Sequence, residues 1–230
     1  MLKTRIIATD IDLTLTDANL RLDTKALEEI RRLEAKRVKV ILTSGRNLAA
    51  TGSLAQFIGT CGLVAAENGG VIANYQAPIR ILGRIDNARA ALRVLRKKMG
   101  RKIVERPDSR YGMRLSDVSL ERSFEPEEAR KILRESGIGV RLVDTGVAFQ
   151  LLDERVDKGY ALVQLARLER FPLRQVTAIG DNYNDLDLFR VAAYKVAVAN
   201  APEEVKEHAD YACKHSYGRG FLEAIAHVGL

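Results

Sequence analysis

Short apolar, β-branched runs alternate with segments of helical periodicity along the first part of the chain. A strand is predicted at residues 4–9, and the helix that follows has Asp23 as its predicted N-cap. The alternation then continues with a strand at 38–42, a helix to about residue 58 and a strand at 63–66. This order predicts a parallel sheet covered on both faces, with ligands bound beyond the carboxyl ends of its strands.

The same alternation returns near the C-terminus. The predicted elements there are a strand at 176–179, a helix at 185–191, a strand at 195–199 and a helix with Pro202 at its first position. These elements extend the sheet that the first part of the chain begins.

The segment between the two halves has a different pattern. Its predicted elements are a helix at 87–98, strands at 102–105 and 113–118, a helix at 126–136, and strands at 140–143 and 148–152. We therefore predict an α/β fold with a Rossmann-like parallel-sheet core built from residues 1–82 and 155–230. An αββαββ domain is inserted into this core at residues 83–154.

Composition narrows the function classes. The chain of 230 residues is 47% hydrophobic and 29% charged, and no apolar tract approaches the roughly 18 residues of a membrane helix. The opening sequence MLKTRIIATD lacks a signal-peptide core, and Cys61 and Cys213 are expected to stay reduced. These features predict a cytoplasmic protein with no membrane partner.

The formal net charge of +7 favours acidic partners. Because the basic residues are spread along the chain and no nucleic-acid-binding motif is present, we expect a small phosphorylated or carboxylated metabolite and no nucleic acid. The sequence leaves both a monomer and a homodimer open.

The strongest chemical signal is the pair Asp10 and Asp12 where the first strand ends. Two carboxylates at this spacing can share a divalent cation, or one can attack phosphorus while the other moves protons. Acidic residues in a solvated loop would look the same if this pair were the only signal.

Three further segments change that interpretation. Ser44-Gly45-Arg46 offers a hydroxyl and backbone amides to a phosphate, and Lys158 offers a positive charge at a helix start. The segment from Asp181 to Asp185 offers carboxylates to a hard cation. Each segment alone fits a helix cap, a surface lysine or an acidic turn, but together at successive strand ends they indicate one phosphate site.

These four segments resemble, in order, the four motifs of the haloacid dehalogenase superfamily. The insert and the segment 67–70 resemble the subgroup with an α/β cap domain. Total length and the segments 108–110, 144–146 and 195–202 are most similar to the archaeal phosphoglycolate phosphatases of that subgroup.

The resemblance implies roles for the acidic residues. Asp10 would be the nucleophile that forms an aspartyl-phosphate, and Asp12 would be the general acid and base. Mg²⁺ would be held by Asp10, the backbone carbonyl of Asp12 and Asp181, with Asp185 as a support or further ligand. The residues that would hold the phosphoryl oxygens are Ser44, Gly45, Lys158 and Asn184.

The resemblance also implies that the cap selects the substrate, with 2-phosphoglycolate preferred. We expect Arg110, or failing that Arg114, to bind the substrate carboxylate, although a solvated arginine would look the same in sequence. A sugar-phosphate or nucleotide phosphatase and a phosphomutase are the alternatives within enzymes, and a basic binding protein that retains the fold is the alternative outside them.

One position departs from the superfamily pattern, because Leu13 stands where glycine is usual. If the loop needs a positive φ there, leucine costs roughly 1 to 2 kcal/mol. Its side chain would either pack in the core or project toward the cap.

Overall fold

The computed structural model describes residues 4–75 and 77–230. The strands of this part of the chain are β1 (Ile6–Thr9), β2 (Lys39–Thr43), β3 (Val64–Ala66), β4 (Val71–Asn74), β5 (Ala77–Ile81), β6 (Val118–Leu120), β7 (Val140–Asp144), β8 (Phe149–Asp153), β9 (Val176–Gly180), β10 (Tyr194–Ala197) and β11 (Tyr211–Ala212). The α-helices are α1 (Thr24–Ala35), α2 (Leu48–Ile58), α3 (Ile85–Met99), α4 (Pro107–Arg110), α5 (Pro126–Ser136), α6 (Lys158–Leu168), α7 (Leu186–Phe189), α8 (Glu203–Glu207) and α9 (Tyr217–His227).

The larger sheet has the strand order β11-β10-β9-β1-β2-β3-β4-β5. Its first six strands in this order run parallel, as the alternating pattern predicts, whereas β4 and β5 add an antiparallel hairpin at one edge. The sequence pattern missed this hairpin because every residue of β5 is exposed, so no alternation of apolar and polar positions marks the strand.

Helices cover both faces of this sheet. Asp23 caps α1, since its Oδ1 accepts from the amides of Lys25 and Ala26. One face packs mainly against α1, α2 and α9, and the other mainly against α6. In the described ranges, no helix has both the length and the apolar character needed to cross a bilayer.

Near the C-terminus two boundaries differ from the prediction. Pro202 is the N-cap of α8 and not its first helical residue. The helix predicted at 185–191 is divided into a 3₁₀ turn at Tyr183–Asp185 and the short α7. The turn bends the chain so that Asp185 points back toward the site described below.

The inserted domain is a three-stranded antiparallel sheet, β6-β8-β7, packed against α3 and α5. The strand predicted at 102–105 does not form, because Glu105 makes only an isolated bridge to Leu120. The next predicted strand starts late, at Val118, since the amides of Leu115 and Ser116 donate to the Glu67 carboxylate of the core and not to a neighbouring strand.

The strand register places the predicted motifs side by side. Thr9 at the end of β1 lies between Leu42 of β2 and Ile179 of β9. The residues that follow these three strands therefore emerge together at the carboxyl edge of the sheet.

Candidate active site

A buried lysine joins two carboxylates at this edge. Lys158 opens α6, and its Nζ donates to Asp10 Oδ1 at 2.5 Å and to Asp185 Oδ1 at 2.7 Å. Lys158 and Asp185 have no exposed side-chain surface, and Asp10 is also buried. A buried lysine needs such partners, because burial of an unpaired ammonium is costly.

Asp185 also fixes the loop that carries Asp181. Its second oxygen, Oδ2, accepts from the amides of Asp181 at 3.0 Å and Asn182 at 3.1 Å. Thr14 Oγ1 donates to Asp181 Oδ1 at 2.7 Å. Gly180 is required at the turn, since an added Cβ would lie 2.5 Å from the Asp185 Cβ.

Negative charge is in excess in this cluster. Oxygens of Asp10, Asp181 and Asp185 lie within 4.8 Å of one another, and Lys158 is the cation bonded to this group. Burial raises the pKa of Asp10 well above its usual value, and Lys158 only partly opposes it. Burial, reinforced by the charge of Asp185, raises the pKa of Asp181 to about 7. For Lys158 the two carboxylates outweigh burial and raise the pKa.

The donor set fits a hard divalent cation. All three acidic groups offer carboxylate oxygens, which Mg²⁺ prefers, and the excess negative charge would be offset by two positive charges. Both oxygens of Asp185 already accept hydrogen bonds, so Asp10 and Asp181 are the better side-chain ligands.

Asp12 lies apart from this acidic cluster and pairs with Arg46. Arg46 Nε lies 3.1 and 2.9 Å from the two Asp12 oxygens, and its Nη2 lies 2.5 Å from Oδ1. The hydrogen bonds that Arg46 donates to Asp12 raise the pKa of Arg46. The sequence did not assign a role to Arg46.

The inserted domain contacts the loop that was predicted to bind phosphate. The Gly45 carbonyl accepts from Arg114 Nη2 at 2.8 Å and from Gln150 Nε2 at 2.7 Å. Ser44 is buried, and its Oγ accepts from the Arg46 amide at 3.0 Å. The cap domain thus holds the backbone of this loop directly.

A second bridge between the domains runs through Asn68. Its Nδ2 donates to Gln150 Oε1, and its Oδ1 accepts from Asn184 Nδ2 at 2.9 Å. The neighbouring Glu67 accepts from Leu115 and Ser116 of the cap. Glu67 and Asn68 both have positive φ, at 54° and 50°, so the tertiary contacts stabilise an unfavourable local backbone.

A cavity of about 420 Å³ lies between the core and the cap. The predicted site residues that line it are Asp10, Asp12, Gly45, Arg114, Asp181 and Asn184. Lys158, Ser44 and Asp185 lie buried behind this surface. Arg110 is exposed and does not line the cavity, and its Nη2 donates to the Glu105 carbonyl at 3.1 Å.

The side chains of Arg46, Asn68, Arg106 and Gln150 lie around this cavity and were assigned no role from the sequence. Asn68 belongs to the segment 67–70 that carried part of the resemblance, and Arg46 belongs to the predicted phosphate segment 44–46, of which only the hydroxyl and the backbone amides were assigned. The sequence did not single out Gln150, because a lone polar residue in a strand indicates only which face of the strand it lies on and not what it contacts.

Leu13 has a positive φ of 62°, so the condition under which leucine strains this loop is met. Its Cδ1 is next to Gly146 of the cap, since a Cβ added to that glycine would lie 3.9 Å from this atom. The half-buried side chain therefore projects toward the cap.

Known proteins share this sequence pattern over the whole chain. A family model for haloacid dehalogenase-like hydrolases matches residues 7–94 and 122–225. A phosphoglycolate phosphatase of Methanoculleus marisnigri is 38% identical over 226 residues, covering 98% of this chain and 96% of the relative. One from Archaeoglobus fulgidus is 39% identical over 231 residues, covering 100% and 99%.

Solved structures share the fold. The crystal structure of Thermoplasma acidophilum 0175 matches with a TM-score of 0.85 and 26% identity, covering 97% of both chains. The predicted α/β core with an inserted cap is thereby confirmed. On the sequence match and the shared fold, the chain belongs to the haloacid dehalogenase-like hydrolase family.

Proposed function

We propose that this chain is a Mg²⁺-dependent phosphatase that hydrolyses 2-phosphoglycolate to glycolate and phosphate, with Asp10 as the nucleophile. The observation that carries the proposal is the buried cluster of Asp10, Asp181 and Asp185 around Lys158 at the mouth of the parallel sheet. The choice of substrate is supported by relatives of 38% and 39% identity that are named phosphoglycolate phosphatases.

Asp10 is suited to attack phosphorus. Its Oδ1 is held by Lys158, and its Oδ2 makes no hydrogen bond to the part of the chain that the structure describes. Because Asp10 lines the cavity, the second oxygen can meet a substrate there. Attack forms the bond from this oxygen to phosphorus and breaks the bond to glycolate, which leaves an aspartyl-phosphate on the chain.

Asp12 supplies and removes protons in this scheme. It gives a proton to the glycolate oxygen as that oxygen leaves, and then takes one from the water that hydrolyses the aspartyl-phosphate. Asp12 is half-buried and lines the same cavity as Asp10, so both carboxylates face one bound molecule.

The phosphoryl oxygens are held by Ser44, Gly45, Lys158 and Asn184 in this proposal. Lys158 brings a positive charge that the structure already directs at Asp10. Asn184 is oriented by Asn68, and two cap side chains hold the Gly45 carbonyl and with it the loop whose backbone amides would be the donors, so these donors are positioned before a substrate enters.

Mg²⁺ would be held by Asp10, Asp181 and the backbone carbonyl of Asp12, with Asp185 in support. When bound, it supplies positive charge that lets an anionic nucleophile and an anionic phosphate approach each other. Arg114, which reaches both the cavity and the Gly45 carbonyl, connects this centre to the cap.

The test is kcat/KM for 2-phosphoglycolate against a panel of sugar phosphates, nucleotides and ethyl phosphate, each with Mg²⁺ and after EDTA. We expect 2-phosphoglycolate to be the best substrate and EDTA to remove the activity reversibly. A sugar phosphate or nucleotide with a higher kcat/KM would contradict the substrate assignment, and full activity in EDTA would contradict the metal.

A further inference from the structure

The cavity contains a guanidinium group whose side-chain partner is itself a reactive group. Arg46 lines the cavity and pairs in bidentate fashion with Asp12. Its side chain is 38% exposed, and within residues 4–75 and 77–230 its Nη1 has no hydrogen-bond acceptor. Arg46 is therefore reachable from the cavity and retains a free donor.

The other two arginines of the cavity make different contacts. Arg114 is 4% exposed, and its three nitrogens donate to Asp108, Asp117 and the Gly45 carbonyl. Two of the five Arg114 N–H donors remain, but all three nitrogens already make buried contacts, so an anion would have to share them. Arg106 is 34% exposed and pairs with Glu121 through Nη1 alone, at 3.1 Å, so it is accessible, but it lies on the cap side of the cavity.

The size of the substrate favours the arginine beside Asp12. Asp12 meets the leaving oxygen, and in 2-phosphoglycolate a single methylene separates that oxygen from the carboxylate. The carboxylate carbon therefore lies roughly 2.5 Å from the leaving oxygen, from ordinary bond lengths. Since Arg46 nitrogens lie 2.5 to 3.1 Å from the Asp12 oxygens, the guanidinium is within reach of that carboxylate.

We propose that Arg46 is the residue that recognises the substrate carboxylate, exchanging Asp12 for the carboxylate of the bound acid. This inference rests on the proposed function. One carboxylate replaces another on the same planar fork, so the bidentate geometry and the charge pairing of the guanidinium are kept. The exchange also frees Asp12 to meet the leaving oxygen, which makes recognition of the remote end a condition for proton transfer.

The test compares two ligands that differ only in the carboxylate. 3-Phosphonopropionate replaces the bridging oxygen of 2-phosphoglycolate by methylene, and propylphosphonate lacks the carboxylate. Calorimetric titration of Arg46→Gln with Mg²⁺ should show affinity for 3-phosphonopropionate reduced roughly 10- to 150-fold, the range of a charge-assisted hydrogen bond. Affinity for propylphosphonate, which has no carboxylate to bind, should change by less than about threefold.

Turnover provides the second measurement. Arg46→Gln should lower kcat/KM for 2-phosphoglycolate much more than for ethyl phosphate, and Arg46→Lys should fall between wild type and Arg46→Gln, because lysine keeps the charge and loses the fork. If Arg46→Gln does not yield folded protein by circular dichroism, the same comparison is made with Arg46→Lys.

A matched control is available on α1. Arg32 forms a similar two-nitrogen pair with Glu29, and its side chain is 37% exposed, against 38% for Arg46. Arg32→Gln lies outside the cavity lining and should leave both affinities and both kcat/KM values unchanged.

Several results would overturn the inference. Equal losses on both ligands, or no loss on either, would exclude recognition of the carboxylate by Arg46, as would selective loss in Arg106→Gln in its place. A wild-type preference for 2-phosphoglycolate that survives Arg46→Gln refutes this role alone. A wild type with no such preference refutes the proposed substrate and the role with it.

Discussion

Glu67 connects the two domains, and its replacement should loosen the cap. The buried carboxylate accepts from Leu115 N at 3.0 and 3.1 Å, from Ser116 N at 2.8 Å and from Ser116 Oγ at 2.7 Å. Ser116 is fully buried, so water cannot readily replace these bonds while the cap stays in place. Each buried donor left without a partner costs about 1 to 3 kcal/mol.

From these contacts we expect Glu67→Ala to lower the free energy of unfolding by about 2 to 4 kcal/mol, since two Ser116 donors lose their acceptor and removal of a buried charge offsets part of the loss. Glu67→Gln keeps one acceptor oxygen and should lose roughly half as much. Glu127→Ala is the control, because the Glu127 side chain is 75% exposed in its pair with Arg130. Such an exposed pair contributes at most about 1 kcal/mol.

The assays are urea unfolding and amide hydrogen exchange. If the m-value is unchanged, a shift of the urea midpoint reflects a change in the free energy of unfolding and not a new intermediate. Exchange at the Leu115 and Ser116 amides should accelerate by roughly 30- to 1000-fold, which corresponds to the same free-energy range. A loss below about 1 kcal/mol with unchanged exchange would refute the reasoning, since it would mean that these donors find other partners.

Four further predictions concern the acidic residues of the site and the backbone at Leu13. Asp10→Asn should abolish turnover with the fold retained. Asp12→Asn should impair the hydrolysis of alkyl phosphates more than that of p-nitrophenyl phosphate, because the p-nitrophenolate leaving group needs no proton. Equal losses on the two substrate types would argue against Asp12 as the general acid. Burial raises the folded-state pKa of Asp181 to about 7 from an ordinary 3.8, so its contribution to the stability of EDTA-treated protein is present below about pH 4 and is lost as pH rises through 7. The melting temperature of the wild type minus that of Asp181→Asn should therefore fall as the pH rises from about 4 through 7. A difference that does not change with pH would contradict this expectation. Leu13→Gly should be more stable than Leu13→Ala by about 1 kcal/mol in urea unfolding, the reverse of the order at ordinary φ, because Leu13 has φ 62°.

Much of the fold and part of the site could be predicted because their signals are local. Apolar periodicity located β1, β2 and β9, and the residues after these strands had to share one edge once the strands were parallel. In the same way, the helix predicted at 126–136 matches α5. The close placement of Asp10 and Asp181 thus follows from strand order and from residues adjacent in sequence to each strand.

Other features depend on contacts between distant parts of the chain. Arg46 pairs with Asp12, 34 residues away in sequence, and Gln150 of the cap donates to the Gly45 carbonyl, 105 residues away. The sequence favoured Arg110 over Arg114, yet docking of the cap buries Arg114 against the site and leaves Arg110 exposed. No local pattern encodes such pairings, because each depends on where side chains lie once segments distant in sequence pack together. The sequence by itself therefore determined the parallel core sheet and the acidic residues at its strand ends, and only the tertiary structure decided which cation faces each acid.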